Sequence, residues 1–187
     1  MKHLEAGSCK PRTVLDVGCN IGYFSLSFVE RGAVSYGVEM ESLALRTATI
    51  ASRRIARERG CFVPVRLKCT PESVALLPDG DVTICLSIWH HWVRYMGLEA
   101  GTAILRSLWE RTNHTLFFDT GENEMPGEYN LPFRHENATT WLAQYLADNL
   151  SGGVITDLGR FKAFSPGGHE ATAHVSRTLF AVTRKVS

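Results

Sequence analysis

Residues 14–22, V-L-D-V-G-C-N-I-G, constrain this chain more than any other stretch, because they join an apolar run to a glycine-bearing turn and then to a helical pattern. Val14, Leu15 and Val17 read as a strand buried on both faces, and Ile21, Phe24 and Phe28 recur at helical spacing up to a stop at Gly32. Gly18 and Gly22 bracket the bend. Without a Cβ, each lets the backbone turn left-handed and lets a ligand approach closely, while the free amides of the new helix face the same space. Such a unit is a nucleotide cradle. A dinucleotide fingerprint needs G-x-G-x-x-G to seat a pyrophosphate, whereas this pattern is D-x-G-x-N-x-G. Asp16 would repel a pyrophosphate but favours a cationic or hydroxyl-bearing ligand. A sulfonium nucleoside meets that demand.

Residues 33–40, A-V-S-Y-G-V-E-M, read as a second strand ending in an acid, Glu39, which lies 21 positions after Gly18. A carboxylate on the tip of the neighbouring strand can accept both ribose hydroxyls of a nucleoside. The alternative is an ordinary βαβ unit in which Glu39 caps the helix starting near Ser42.

Downstream, buried-strand and amphipathic-helix patterns alternate, which is the sign of an α/β doubly wound sheet. Strands are expected near 13–17, 34–39, 62–67, 81–87, 115–119, 154–161 and 177–184, and helices near 21–31, 41–59, 98–112 and 137–151. The second helix carries Ala44, Ala48, Ala51 and Ile55 on one stripe, and the last carries Trp141, Tyr145, Leu142 and Leu146. The final two strands are joined by about fifteen residues containing S-P-G-G without a helical pattern, so they read as a hairpin with an antiparallel last strand. At 187 residues, 44% hydrophobic and 21% charged, one domain over 1–187 accounts for the chain.

A net charge of +1 predicts no strong field for nucleic acid or anionic membrane. Apolar runs fall short of a bilayer span and the N-terminus lacks a signal-peptide core, so a cytoplasmic location is expected. Cys9, Cys19, Cys61, Cys69 and Cys85 form no C-x-x-C pair and read as reduced thiols, with no metal site.

The D-V-G-C-N-I-G turn and the Glu39 strand tip together resemble the class I methyltransferases that use S-adenosylmethionine, with Asn20 in place of the usual middle glycine. Asparagine tolerates the left-handed region, so the departure is mild. The resemblance implies a mostly parallel seven-stranded sheet of 3-2-1-4-5-7-6 type, S-adenosylmethionine as donor and S-adenosylhomocysteine as product. It carries donor contacts onto Asp16, Gly18, Cys19, Asn20, Gly22, Tyr23, Glu39, Met40 and Ser87. After the third strand many relatives have an aspartate for the adenine amino group, but here the text is L-K-C-T-P-E-S. Glu72 could meet that amino group instead, with backbone amides near Cys69 or Thr70 on the ring nitrogen.

Residues 81–92, D-V-T-I-C-L-S-I-W-H-H-W, should carry the chemistry, because the fourth strand end faces the cofactor across the switch point of such a sheet. His90 and His91 between Trp89 and Trp92 give an aromatic-walled pocket with a base that titrates near neutrality. The segment resembles the L-H-D-W stretch of small-molecule O-methyltransferases, which makes His90 the lead base. Alignment to the group that modifies tRNA wobble uridine instead pairs Tyr-His with His90-His91 and moves the base by one position. The structural alternative is one imidazole on a backbone carbonyl and the other in solvent.

The longest irregular segment, 120–136, follows a strand end and reads as a lid, or else as a passive surface loop. Glu122, Glu124 and His135 in it, and His169, Glu170 and His174 in the final hairpin, are candidate acceptor contacts. Many relatives place a helical cap before the first strand. Here little precedes it, so the lid, a second copy in a homodimer or a partner subunit would cover the acceptor. Arg46, Arg53 and Arg57, with Arg54 and Arg59 beside them, form either a solvated helix face or an RNA contact. The pattern D-V-G-C-N-I-G with C-L-S is also similar to RNA-capping methyltransferases. The acceptor is therefore expected to be a small molecule or glycan, with RNA as the alternative acceptor and a non-catalytic binding or activator subunit as the alternative to an enzyme.

Overall fold

The computed structural model describes residues 11–55, 60–133, 136–162 and 176–185. Seven strands, β1 (Thr13–Val17), β2 (Val34–Glu39), β3 (Cys61–Arg66), β4 (Gly80–Cys85), β5 (Thr112–Phe118), β6 (Gly153–Lys162) and β7 (Ser176–Arg184), form one sheet in the order β3-β2-β1-β4-β5-β7-β6. β1 to β5 run parallel, and β7 runs antiparallel to both β5 and β6. The expected order and the antiparallel last strand are both present.

The register lines up the strand tips. Val17 pairs with Val38 and with Cys85, and Cys85 pairs with Phe118. The residues that follow, Gly18, Glu39, Leu86 and Asp119, therefore leave the sheet side by side along one carboxyl edge, where loops of an open α/β sheet bind ligands.

Five helices, α1 (Tyr23–Val29), α2 (Ser42–Ile55), α3 (Pro71–Val74), α4 (Trp89–Glu110) and α5 (Ala138–Asn149), accompany the sheet. Leu15, Ile104, Leu105, Leu108, Leu116 and Phe180 are fully buried between sheet and helices, each worth roughly 1.5–3 kcal/mol relative to exposure.

Three features of the helices differ from the sequence pattern. The first helix begins after Gly22, whose left-handed φ of 84° resets the phase. Ile21 and Phe24 are consequently exposed, and Leu26, Phe28 and Val29 face inward. On α2 the buried residues are Leu45, Ala48 and Ser52, while Ile55 is exposed. The fourth helix is two helical segments that meet at a non-helical Gly97 (φ 85°, ψ 165°): the expected one from about residue 98 to Glu110, and one before it, starting at Trp89, that the sequence pattern did not include. The histidine pair thus sits on the first turn of a helix and not on extended chain. The end of the expected second helix, residues 56–59, and most of the final hairpin connection, 163–175, lie outside the described residues.

Candidate active site

Three residues of the first turn take positive φ: Gly18 (76°), Asn20 (49°) and Gly22 (84°). A Cβ at Gly18 would lie 2.6 Å from Ile88 Cδ1, and one at Gly22 would lie 2.8 Å from Ala48 Cβ. Gly22 is therefore required for both conformation and space, and Gly18 chiefly for its positive φ, since the terminal methyl of Ile88 can move aside. The amides of Gly18 and Cys19 donate to the Val38 carbonyl at 2.8 and 3.0 Å, which ties the turn to β2. These two amides serve the fold and do not face a ligand. Cys19 is buried, its thiol pushed above its ordinary range by burial, and Cys19, Cys61, Cys69 and Cys85 are free thiols.

Asp16, at the end of β1, is 3% exposed. The amide and hydroxyl of Ser25 donate to its Oδ2 at 3.0 and 2.6 Å. Burial nevertheless pushes the carboxyl up to about 6, with Glu39 adding to the rise against the two Ser25 bonds. Among the described residues no cationic side chain pairs with it. A buried carboxylate lacking a counter-charge favours the approach of a cation.

Glu39 is held at its strand tip by three amides: Asn20 donates to Oε2 at 3.1 Å, and Met40 and Glu41 donate to Oε1 at 2.7 and 2.9 Å. It does not cap α2, because Glu41 does so by accepting from the Ala44 amide at 2.8 Å. Tyr23 and Met40 stand exposed at the rim.

Thr70 and Glu72 are engaged differently from the sequence expectation. Thr70 caps the four-residue α3: its Oγ1 accepts from the Ser73 amide at 3.2 Å, and its own amide donates to Ser73 Oγ at 2.8 Å. That amide is therefore not free for a base. A local backbone hydrogen bond, followed by the Thr70 hydroxyl donating to Oε2 at 2.8 Å, holds the exposed Glu72 carboxyl below its usual range.

Ser87 follows β4 with a φ of 56°. Its amide and hydroxyl donate to Asp119 Oδ1 at 2.7 and 3.1 Å, and Arg177 Nη1 donates to its Oγ at 2.9 Å. Burial raises the Asp119 carboxyl despite those bonds. Neither Asp119 nor Arg177 was singled out in the sequence, where they stand 32 and 90 positions from Ser87.

Trp89 and Trp92 are core residues and not walls of an open pocket. Trp89 is fully buried against Phe118, Phe133 and Tyr145, with its indole N–H donating to Tyr145 Oη at 3.2 Å. Helical phase from Trp89 sends positions 89, 92 and 93 inward and leaves 91 and 95 toward the edge. The aromatic surroundings of the histidines are instead Tyr129, 5.7 Å from each imidazole, and Tyr95, parallel to His91 at 6.5 Å. Arg94 lies 4.6 Å over the Tyr129 ring, donates to its hydroxyl at 3.2 Å and pairs with Glu128 at 2.6 Å. The segment 120–133 is thereby anchored, with Thr120, Glu122, Tyr129 and Phe133 all buried.

The two imidazoles differ in chemistry. His90 is buried and its Nδ1 accepts from the Gly121 amide at 2.9 Å. An amide can only donate, so the neutral ring carries its proton on Nε2. Thr120 Oγ1 lies 3.0 Å from the same Nδ1. Burial, with His91 and Arg177 nearby, lowers the His90 pKa to about 3. His90 is thus a fixed neutral donor whose one lone pair is already occupied. His91 is half-buried, its ring 4.3 Å from that of His90, and its pKa is lowered by burial, Arg94 and Arg177. It is neutral at pH 7, and no hydrogen bond occupies its ring nitrogens among the described residues.

Glu122 is buried at the wall of a cavity beside the carboxyl edge. Its Oε1 accepts from the Thr178 amide at 2.6 Å and its Oε2 pairs with Arg160 at 2.8 Å. His135, His169, Glu170, His174, Arg57, Arg59 and Cys9 lie outside the described residues. Among the described residues no cluster of three or more His, Cys, Asp or Glu side chains could hold a metal, and no helix is long and apolar enough to cross a membrane.

Comparison with known proteins bears on the fold. No protein-family model matches the chain. Over 102 residues, 53% of its length, it is 32% identical to the O-antigen chain terminator bifunctional methyltransferase/kinase WbdD of Escherichia coli, a match spanning 14% of that protein. Over 83 residues it is 35% identical to an uncharacterized methyltransferase of Mycobacteroides abscessus, 30% of which is covered. The fold superimposes on solved WbdD with a TM-score of 0.69 at 23% identity, covering 92% of this chain and 35% of that one. Magnesium protoporphyrin IX methyltransferase of Synechocystis, solved with its donor bound, gives 0.63 at 17% identity, covering 92% of this chain and 69% of that one. A methyltransferase of Methanosarcina mazei gives 0.67 at 13% identity, covering all of this chain and 99% of that one. The strand order and these superpositions show the class I methyltransferase fold, and the relatives matched in sequence, of which the chain spans 14% and 30%, are methyltransferases.

Proposed function

We propose that the chain methylates a hydroxyl of a small molecule or glycan, with His91 accepting the hydroxyl proton. The reading rests on one observation: the donor turn packs directly on the residue that starts the histidine helix, since a Cβ on Gly18 would strike Ile88, the cap of α4. Donor and base sites are therefore neighbours on one edge.

When bound, S-adenosylmethionine would supply a methyl carbon already activated by its sulfonium, open to in-line bonding by the acceptor oxygen with the neutral thioether as leaving group. Asp16 would favour the cationic part of the donor, and Glu39 would accept from its ribose. Both demands fit the residues present, because Asp16 is buried without a counter-charge and Glu39 is pinned at the strand tip by backbone amides. His91 takes the proton, because His90 has its lone pair committed to Gly121. His90 instead offers an Nε2–H, suited to orienting an acceptor oxygen. The similarity to WbdD, an O-antigen chain terminator, favours a glycan acceptor.

The test is methyl transfer by His91→Ala and His90→Gln measured against pH. His91→Ala is expected to lose on the order of 10²–10⁴-fold in turnover with donor affinity kept. The wild-type acid limb should lie below the ordinary histidine pKa, because the structure lowers that of His91. Full turnover in His91→Ala would refute the assignment.

A further inference from the structure

A cavity of about 430 Å³ opens on the same carboxyl edge, beyond Ser87, between the exit of β5, the start of α5, the end of β6 and the start of β7. Its size falls in the range of about 300–1,000 Å³ typical of sites for small organic ligands. Glu122, Asn123, Asn137 and Arg160 are among its lining residues. The mechanism above uses none of them.

The charges of this cavity are closed on themselves. Arg160 pairs with Glu122 at 2.8 Å and Arg177 pairs with Glu124 at 2.8 Å. All five N–H groups of Arg160 are occupied: Nε by Ser176 Oγ, Nη1 by the hydroxyls of Thr139 and Thr178, and Nη2 by Glu122 and the Ser176 carbonyl. No guanidinium fork remains for a phosphate or carboxylate. An anion would also meet two carboxylates. Those carboxylates retain acceptor capacity, because among the described residues each oxygen takes a single donor: Glu122 from Thr178 and Arg160, Glu124 from Arg177 and the Glu122 amide. The ligand chemistry that satisfies spare carboxylate lone pairs without bringing charge is a neutral, hydroxyl-rich ring.

The cavity is also wired to the reaction edge. Arg177 donates through Nε to Glu124 and through Nη1 to Ser87, so one side chain spans the cavity wall and the end of β4. We infer that this cavity is a subsite for a neutral saccharide unit of the acceptor, next to the unit that carries the reacting hydroxyl. The inference rests on the glycan reading above and narrows it to an uncharged sugar.

The experiment uses the full chain saturated with S-adenosylhomocysteine and saturation-transfer NMR. The neutral probes are methyl glucoside, methyl mannoside, methyl galactoside and N-acetylglucosamine; glucose 6-phosphate and inorganic phosphate are the anionic controls. Saturable transfer to at least one neutral probe, with none to phosphate, is expected. Asn123→Trp changes an exposed lining residue and fills the cavity. It should weaken the probe at least tenfold while S-adenosylhomocysteine affinity and Tm stay as in wild type. Donor binding with no transfer to any neutral probe, or probe binding unaffected by Asn123→Trp, overturns the subsite. Preferred binding of the phosphate probes overturns its neutrality. Failure to bind S-adenosylhomocysteine would instead sink the methyltransferase reading beneath it.

Discussion

Asp16 gives the sharpest quantitative test, because its two states differ in charge where a cationic donor would sit. In the free protein its carboxyl is pushed from 3.8 up to about 6 by burial. The folded state therefore binds a proton that the unfolded state does not hold between these values. Its ionised form costs the empty protein about 3 kcal/mol above pH 6, a cost that fades as pH falls toward 4. A cationic donor that restores the ordinary carboxylate pKa recovers that energy on binding. At pH 5 roughly ten of eleven free molecules carry the proton, so affinity should be about tenfold weaker than at pH 7.5. Calorimetric titration with S-adenosylmethionine at the two pH values measures this directly. Asp16→Asn should bind the donor weakly and lose the pH dependence, yet melt at a higher temperature than wild type at pH 7.5. An affinity that is flat from pH 7.5 to 5, or a pH slope that persists in Asp16→Asn, would refute the reasoning.

Glu39→Ala removes the acceptor for the amides of Asn20, Met40 and Glu41 as well as for a ribose; titration should show donor affinity reduced by at least tenfold in a protein that still folds by circular dichroism. Gly22→Ala must hold φ at 84° with its new Cβ 2.8 Å from that of Ala48. Strain and overpacking together should destabilise by roughly 2–4 kcal/mol in urea unfolding and loosen donor binding. Trp89→Phe leaves Tyr145 without the indole donor and shrinks a fully buried ring. Stability should fall by about 1–3 kcal/mol with donor affinity unchanged, whereas a lost acceptor affinity at constant Tm would restore Trp89 to the pocket wall.

The backbone geometry of the proposed donor half was legible in the sequence because its parts lie on two consecutive strand ends. The glycines at 18 and 22 announce left-handed turns, and Glu39 is one strand away, so local rules of conformation suffice. The acceptor half was not. S-I-W-H-H-W is an apolar run that fits a strand end or a buried helix start equally well, and the choice decides which of its aromatic residues turn inward. Once the helix begins at Trp89, Trp89 and Trp92 belong to the core and His91 to the edge. The tautomer of His90 depends on the amide of Gly121, 31 positions away, and Ser87 is fixed by Asp119 and Arg177 across three strands. Such contacts follow from sheet order and register, which no spacing within a single segment encodes. The inward phase of α1 was misread for a smaller reason: the left-handed Gly22 separates Ile21 from the helix that the periodicity appended it to.

Transfer of an isotopically labelled methyl group from S-adenosylmethionine is the direct test of the function proposed. The purified chain would be offered neutral oligosaccharides, hydroxylated small molecules and RNA side by side, with His91→Ala in parallel. Label on a sugar or small-molecule hydroxyl, lost in His91→Ala, is the predicted result. Label on RNA alone, or on a hydroxyl at an equal rate in His91→Ala, would contradict it.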